Sequence, residues 1–373
     1  MIAMTDLDVL IVGTFGGGGI HHYIEDLLVH LPEKISATTY DMRSNPNGEG
    51  IRWLLTSFLA SVVAALRFPV RQRPDLVHLH SSYGFSFYRA AFYVGVIASI
   101  WRRPIVFHVH GSSFDAFLET ESQLVRTVQS TVFTRCDRVV VLSDYWRDVL
   151  ESRVAEEKIV VVPNAVDPDR FEPEYDHNPP RVRFVSTLIP RKGVEELAEA
   201  VGALKSEGSL DFELAIAGVG PLQDLVEELS ARHEQVIYNG YVSEKEKQRL
   251  LSTGDVFVLP SHAEGLPIAI LEGMAGGNAI VATRVGSIPE VIDEEAGVLV
   301  EAGDSAALAD AIGSLVTEDP TAGRMGRNNR RLACDRYAWT RISERIVRVY
   351  LDVTSQRNGP EEAAGSRPVQ EST

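Results

Sequence analysis

Glu264 and Glu272 are two carboxylates eight positions apart, set on either side of a loop-to-helix junction. Pro267 suits the first turn of a helix, where its missing N–H costs nothing, and Gly276 and Gly277 are natural stop residues. The spacing therefore predicts a helix over 267–275, with Glu264 in the loop before it and Glu272 on it. The N–H groups at such a helix start favour an anion. One acid beside an anion pocket and a second further along could grip two hydroxyl-bearing parts of one ligand. Upstream, Arg191 and Lys192 stand just before Gly193 and could meet a negative group, although neighbours at i and i+1 do not share a helical face.

The first half of the chain carries other candidates. Gly16 to Gly19 form a run of four glycines, which lets backbone approach a ligand closely. A nicotinamide fingerprint needs G-x-G-x-x-G here, and the spacing from Gly13 through Gly16 and Gly18 fails it, although Asp41 could mimic the acid that binds a ribose. Two His-x-His pairs follow, His78 with His80 and His108 with His110. The second could suggest a metal, but no Cys or acid stands nearby to complete a set. His108 is expected to alternate away from His110 as a packed strand residue. Asp115 reads as an acceptor-side residue or, equally, as a helix cap.

The elements that must position these residues are short apolar runs alternating with longer amphipathic stretches, the pattern of parallel sheets covered by helices. Strands are expected at 8–13, 37–41, 76–79, 105–108, 138–142 and 159–162. A second set is expected at 183–186, 213–217, 236–238, 256–259, 279–282 and 297–300. Helices are expected at 20–31, 85–101 and 122–134 in the first half. A Pro-rich, acidic linker over 163–180 separates two doubly wound halves. The expected organisation is an N-terminal domain over 1–165, a C-terminal domain over 166–340, a terminal helix within 341–356, and a disordered tail over 357–373.

Composition narrows the class. At 373 residues, 45% hydrophobic and 24% charged, the chain is long enough for two soluble domains. A formal net charge of −16 argues against nucleic acid as a partner. Two cysteines are too few for a disulfide framework or a metal cluster. No signal peptide opens the sequence, and the apolar segment 53–66 is shorter than the roughly 20 residues of a membrane helix, so a cytoplasmic location is expected. Segments 53–66 and 85–101 are nonetheless flanked by arginines, which leaves peripheral contact with the inner face of a membrane as an expectation beside the alternative of plain sheet-covering helices.

The stretch from Ser261 to Gly277 resembles the E-x7-E signature of retaining glycosyltransferases of family 4, with Gly265, Pro267, Ala275, Gly286, Pro289 and Glu290 in register. That resemblance implies an α/β fold of the GT-B type: two doubly wound Rossmann-like domains facing each other across a cleft, the terminal helix crossing back to the first. It implies transfer of a sugar from a nucleoside-diphosphate donor to a glycan or lipid-linked acceptor, with retention at the anomeric carbon. No metal or other cofactor is expected, because no Asp-x-Asp stands at a strand end and basic groups with a helix dipole can do that work. By the same resemblance the catalytic residues are His110, Lys192 and Glu264. Donor contacts fall to Gly17, Gly18, Arg191, Gly218, Val242, Gly265, Leu266, Pro267, Ile268 and Glu272, with Glu272 on the ribose. His80, Ser82 and Asp115 are the acceptor-side positions. The chain departs from the family at Thr187, where an arginine is expected, so that one of two diphosphate-binding cations is missing unless Arg191 replaces it.

Two other readings compete. A hydrolysing nucleotide-sugar 2-epimerase of the same fold would need further carboxylates for proton transfer at C2, and no convincing pair is present beyond those already used. A non-catalytic binding protein fits Thr187 but not the retention of both glutamates and Lys192. The donor base, the sugar and the acceptor leave no trace in these side chains.

Overall fold

The computed structural model describes residues 6–15, 18–42, 56, 61–206, 211–317 and 320–358. The chain divides into two compact units: one of residues 1–142, 146–162 and 343–373, the other of 143–145 and 163–342.

The first unit holds a six-stranded parallel sheet: β1 (Leu7–Gly13), β2 (Ile35–Asp41), β3 (Leu76–Ser81), β4 (Ile105–Val109), β5 (Arg138–Val141) and β6 (Ile159–Val161), in the order β2-β1-β3-β4-β5-β6. Apart from the partly exposed edge strand β2, these strands are largely apolar and buried because helices cover the sheet, and Val9, Ile11, Val77, Leu79, Phe107 and Val139 are wholly buried. The second unit repeats the plan with β7 (Arg181–Val185), β8 (Glu213–Ala217), β9 (Val236–Gly240), β10 (Val256–Leu259), β11 (Ala279–Thr283) and β12 (Gly297–Val300), ordered β12-β11-β10-β7-β8-β9. The sequence of strands thus reverses between β1 and β3 in one sheet and between β7 and β10 in the other. Such switch points open a crevice at the carboxyl ends of the strands, where ligands of open α/β sheets bind.

All twelve expected strands are present, and the differences lie at their ends. The strand expected to stop at residue 79 runs on to Ser81 because His80 and Ser81 are fully buried despite being polar. β7 starts at Arg181 because Arg183 is absorbed into the core, donating to the carbonyls of Leu250 and Thr253 and pairing with Glu213 at 2.8 Å. The helix expected over 85–101 is α-helical only over Phe85–Val96 and closes in a wider turn, Ile97–Trp101, where Arg102 takes a left-handed conformation. The segment 163–180 is more than a linker: Val166 bridges to Ala338, and Val166 and Phe171 are buried within the second unit. The terminal helix, Trp339–Asn358, is longer than the expected 341–356, and its last two residues fall in the segment expected as a disordered tail. Residues 359–373, together with most of 53–60, lie outside the described residues.

Candidate functional site

At the second unit's switch point the loops after β7 and β10 lie side by side. Their approach depends on Gly193, which takes φ +71° and whose Cβ would stand 2.0 Å from the Pro260 carbonyl oxygen. The His262 amide donates to the Arg191 carbonyl at 2.8 Å, and the Arg191 guanidinium donates to the Ala263 carbonyl at 2.7 Å. With the loops so tied, Lys192 Nζ meets Glu264 Oε1 at 2.5 Å, and Arg191 Nη1 stands 3.8 Å from Glu264 Oε2. Arg191 and Lys192 therefore serve one carboxylate. They sit in a short 3-10 turn, Pro190–Lys192, in which neighbours still diverge, and the length of both side chains lets each reach a different oxygen of that carboxylate. Thr187 is exposed, and the only cations on this loop are Arg191 and Lys192.

The main chain around Glu264 is clamped from the other side. Gly286 takes φ +53°, and a Cβ there would lie 1.9 Å from the Glu264 carbonyl oxygen. The Ser287 amide donates to Gly265, and Asn164 Nδ2 donates to the Leu266 carbonyl at 2.6 Å. The following helix runs Ile268–Ala275 with Pro267 as its N-cap at ψ 122°, one position outside the expected first turn. Leu266 and Pro267 are buried, while Gly265 and Ile268 are half-buried. Glu272 is paired with Lys247, Nζ to Oε1 2.7 Å, and Lys247 also reaches Glu244 at 2.8 Å. Burial alone would lower the Lys247 pKa, but Glu272 and Glu244 outweigh it and hold the ammonium above its ordinary value. Lys247 was missed from sequence: it lies in a helix of charged residues, Glu244–Ser252, and its partner is 25 positions away.

Two further positions complete this face. Gly218, after β8, takes φ +145°, and a Cβ would collide with the Ser186 carbonyl oxygen at 1.8 Å, so backbone passes over backbone there. Val242 is half-buried in the turn after β9, just before the capping box of Ser243 and Glu246.

In the first unit the glycine loop follows β1. Gly18 is exposed at φ +88° and precedes the helix Gly19–His30, whereas Gly17 lies outside the described residues. Asp41 accepts from the Phe15 amide at 3.2 Å, so its carboxylate supports this loop.

β3 and β4 bring all four histidines of the two His-x-His pairs together. The strands are in parallel register with His80 opposite His108. Positions i and i+2 of a strand share a face, so His108 does not alternate away from His110; their rings stack with centroids 4.0 Å apart. His80 Nδ1 and His110 Nε2 are 2.9 Å apart, His78 Nε2 and His108 Nδ1 3.3 Å, and the Tyr350 hydroxyl lies 2.7 Å from His78 Nδ1. Burial strips water from these rings and disfavours the imidazolium, holding His78 and His110 down to about 3 and His80 and His108 well below the usual range. All four are neutral at pH 7. His110 is the half-buried member, and His80, expected to contact an acceptor, is fully buried behind it. Ser82 is half-buried, its amide 3.4 Å from Ser86 Oγ, and Asp115 bonds the amide of Ala116 in the first turn of Phe114–Leu118.

Two Rossmann-like sheets, each with a switch point, and a Lys–Arg–Glu cluster at one of them define a class: enzymes of the GT-B fold. The chain belongs to glycosyltransferase family 4. The model of Glycosyltransferase Family 4 matches residues 9–170, and that of Glycosyl transferases group 1 matches residues 179–318. The MMP alpha-(1->4)-mannosyltransferase of Mycolicibacterium hassiacum is 30% identical over 256 residues, 67% of this chain and 59% of that protein, so the chain spans about six-tenths of its length. The GDP-mannose-dependent alpha-(1-6)-phosphatidylinositol monomannoside mannosyltransferase of Mycolicibacterium smegmatis is 28% identical, with 88% of this chain and 94% of that one covered. Among solved structures, the sucrose-phosphate synthase of Thermosynechococcus elongatus superposes with a TM-score of 0.74 over 94% of this chain and all of that one, at 18% identity.

Proposed function

We propose that this protein transfers a sugar from a nucleoside-diphosphate donor to an acceptor with retention at the anomeric carbon. The observation that carries the proposal is the convergence of Lys192, Arg191 and Glu264 at the second unit's switch point, ahead of a helix start. An ammonium has three donors, so Lys192 can hold Glu264 with one and a diphosphate with the others. With Arg191 and the helix-start amides it stabilises charge growing on the leaving group, a role in which preorganised donors commonly supply the largest catalytic term. Glu264, held on its pairing side by these cations, orients the sugar hydroxyls. Glu272 receives the ribose while keeping its bond to Lys247. In the first unit, His110 is the candidate for contact with the transferred sugar, through Nδ1, because its Nε2 is engaged with His80 at 2.9 Å. With two cations at the diphosphate, we assign charge neutralisation to these side chains and expect turnover without added magnesium.

The acceptor we propose is a lipid-linked or surface-glycan precursor, a reading supported by the phosphatidylinositol mannoside acceptor in the name of the Mycolicibacterium smegmatis relative. No helix among the described residues is long and apolar enough to cross a membrane. Phe85, Tyr88 and Phe92 are exposed along one helix of the first unit, with Arg89 over the Phe85 ring, which supports reversible contact with an anionic membrane surface.

The test is incubation of the purified chain with a panel of nucleotide sugars, with and without acceptor lipids. Acceptor-dependent release of nucleoside diphosphate, with the product's anomeric configuration unchanged by NMR, is the expected result. A new free sugar without acceptor would instead make it an epimerase, and binding without release would make it a non-catalytic receptor.

A further inference from the structure

We propose that His78, His80 and His108 form a binding site for one late first-row divalent transition ion, zinc being the probe, with His110 beside it and Tyr350 holding the ring of His78. One ligand atom from each of the three fully buried histidines lies within 4.8 Å of the others. Imidazole suits zinc, copper and nickel, and three histidines are a complete protein ligand set for a zinc that keeps one open position.

Two observations point to an ion. The first is orphaned polar atoms: Nε2 of His80 and Nε2 of His108 are buried with no hydrogen-bond partner among the described residues. When Nδ1 of each donates to its neighbour, to His110 and His78 respectively, both Nε2 atoms present bare lone pairs to a dry interior. Such unmet acceptors are costly, and coordination satisfies both at once. The second is the outer contact. The Tyr350 hydroxyl on His78 Nδ1 is the kind of partner that fixes a ligating ring and its tautomer, leaving Nε2 for the ion in exchange for its 3.3 Å contact with His108. Binding would require the rings to turn until each nitrogen stands at the roughly 2.0–2.1 Å zinc–nitrogen distance. His110, half-buried and stacked on His108, is the side of the cluster nearest solvent. The inference concerns the first unit alone and stands whether or not the chain transfers sugars.

The full chain, stripped with chelator and freed of it, is titrated with zinc and separately with cobalt(II). The expected result is one zinc per chain with micromolar or tighter affinity, and visible absorption from cobalt in a low-coordinate nitrogen site. His80→Gln and His108→Asn should each weaken zinc at least tenfold, and Tyr350→Phe by about 10- to 100-fold, the range for outer-shell partners. His262→Gln, in the second unit, should change nothing. Should a variant not fold, nitrogen-15 spectra of the wild-type histidine rings decide: zinc-dependent shifts on the buried rings support the site. Substoichiometric zinc, binding unaltered in both histidine variants, or shifts confined to surface histidines such as His22 and His262 would overturn it.

Discussion

Lys192 is asked to do two things, and they can be separated. Lys192→Ala should cut kcat by about 10²-fold or more, the usual cost of removing a preorganised donor at a developing charge. It should also destabilise the fold, because Glu264 is only 7% exposed and would keep only Arg191 at 3.8 Å. The double variant Lys192→Met with Glu264→Gln removes both charges, and recovery of its denaturation midpoint assigns the stability loss to the unpaired carboxylate; kcat of Lys192→Ala, measured below its unfolding transition, then reports the chemical role alone. Unchanged kcat in Lys192→Ala would remove the leaving-group role. Glu272→Ala should act differently, raising the donor KM several-fold with kcat little altered, as measured by initial rates over donor concentration. Glu264, Glu272, Lys192 and Arg191 were all legible in sequence, since their spacing to Gly265, Pro267 and Gly193 is local. Lys247 was not, because a Lys among Glu residues on a helix looks like any solvated face.

At the scale of elements, the glycines at the switch point set how closely loops can approach. Gly193→Ala combines a left-handed backbone with a Cβ 2.0 Å from a carbonyl oxygen, whereas Gly84→Ala has φ +63° but open space around it. Gly84→Ala should therefore cost only the left-handed penalty, about 1–2 kcal/mol. Gly193→Ala should cost clearly more and displace Lys192; urea unfolding midpoints and donor binding measured on the two variants check the ordering. Every strand was legible from apolar runs bounded by turn residues, and the errors cluster where polar residues are buried. His80 and Ser81 read as lying past the end of their strand and Arg183 as the first residue of its own, yet the sheet takes them in because the neighbouring strand, the core or each other supplies their partners. The histidine cluster is the same lesson inverted. Each His-x-His pair was visible, but the register that sets His80 opposite His108 belongs to two strands joined only in space.

Across the molecule, the first unit is discontinuous in sequence, taking back the chain from Ser343. Ile346, Tyr350 and Val353 are buried there, Arg138 pairs with Asp352, and Arg345 donates to the Val161 carbonyl. Each large apolar side chain contributes about 1.5–3 kcal/mol against a total stability of about 5–15 kcal/mol. A chain ending at Ile342 should accordingly lose the cooperative transition of the first unit, measured by calorimetry. The buried histidines give the metal-free molecule a second signature. Their folded pKa values lie below the unfolded value near 6.5, so the unfolded chain binds protons that the folded chain refuses. Stability is thus whole above about pH 6.5 and falls as pH drops below it, more steeply the more of these histidines must take up a proton on unfolding. Urea midpoints between pH 5 and 6.5 should show this slope, reduced in His78→Gln; a flat profile would mean the rings titrate normally.

The sequence by itself determined the two doubly wound halves, their strands in chain order, the family, and Arg191, Lys192, Glu264 and Glu272 as separate candidates. Those features rest on periodicity and on short-range spacing around Gly and Pro, which a linear chain displays directly. Only the tertiary structure decided that Arg191 and Lys192 meet one carboxylate, that Lys247 holds Glu272, and that four histidines and Tyr350 share one buried cluster. Each of those pairings joins residues far apart in the chain, and strand register and loop contact alone bring them within a few ångströms.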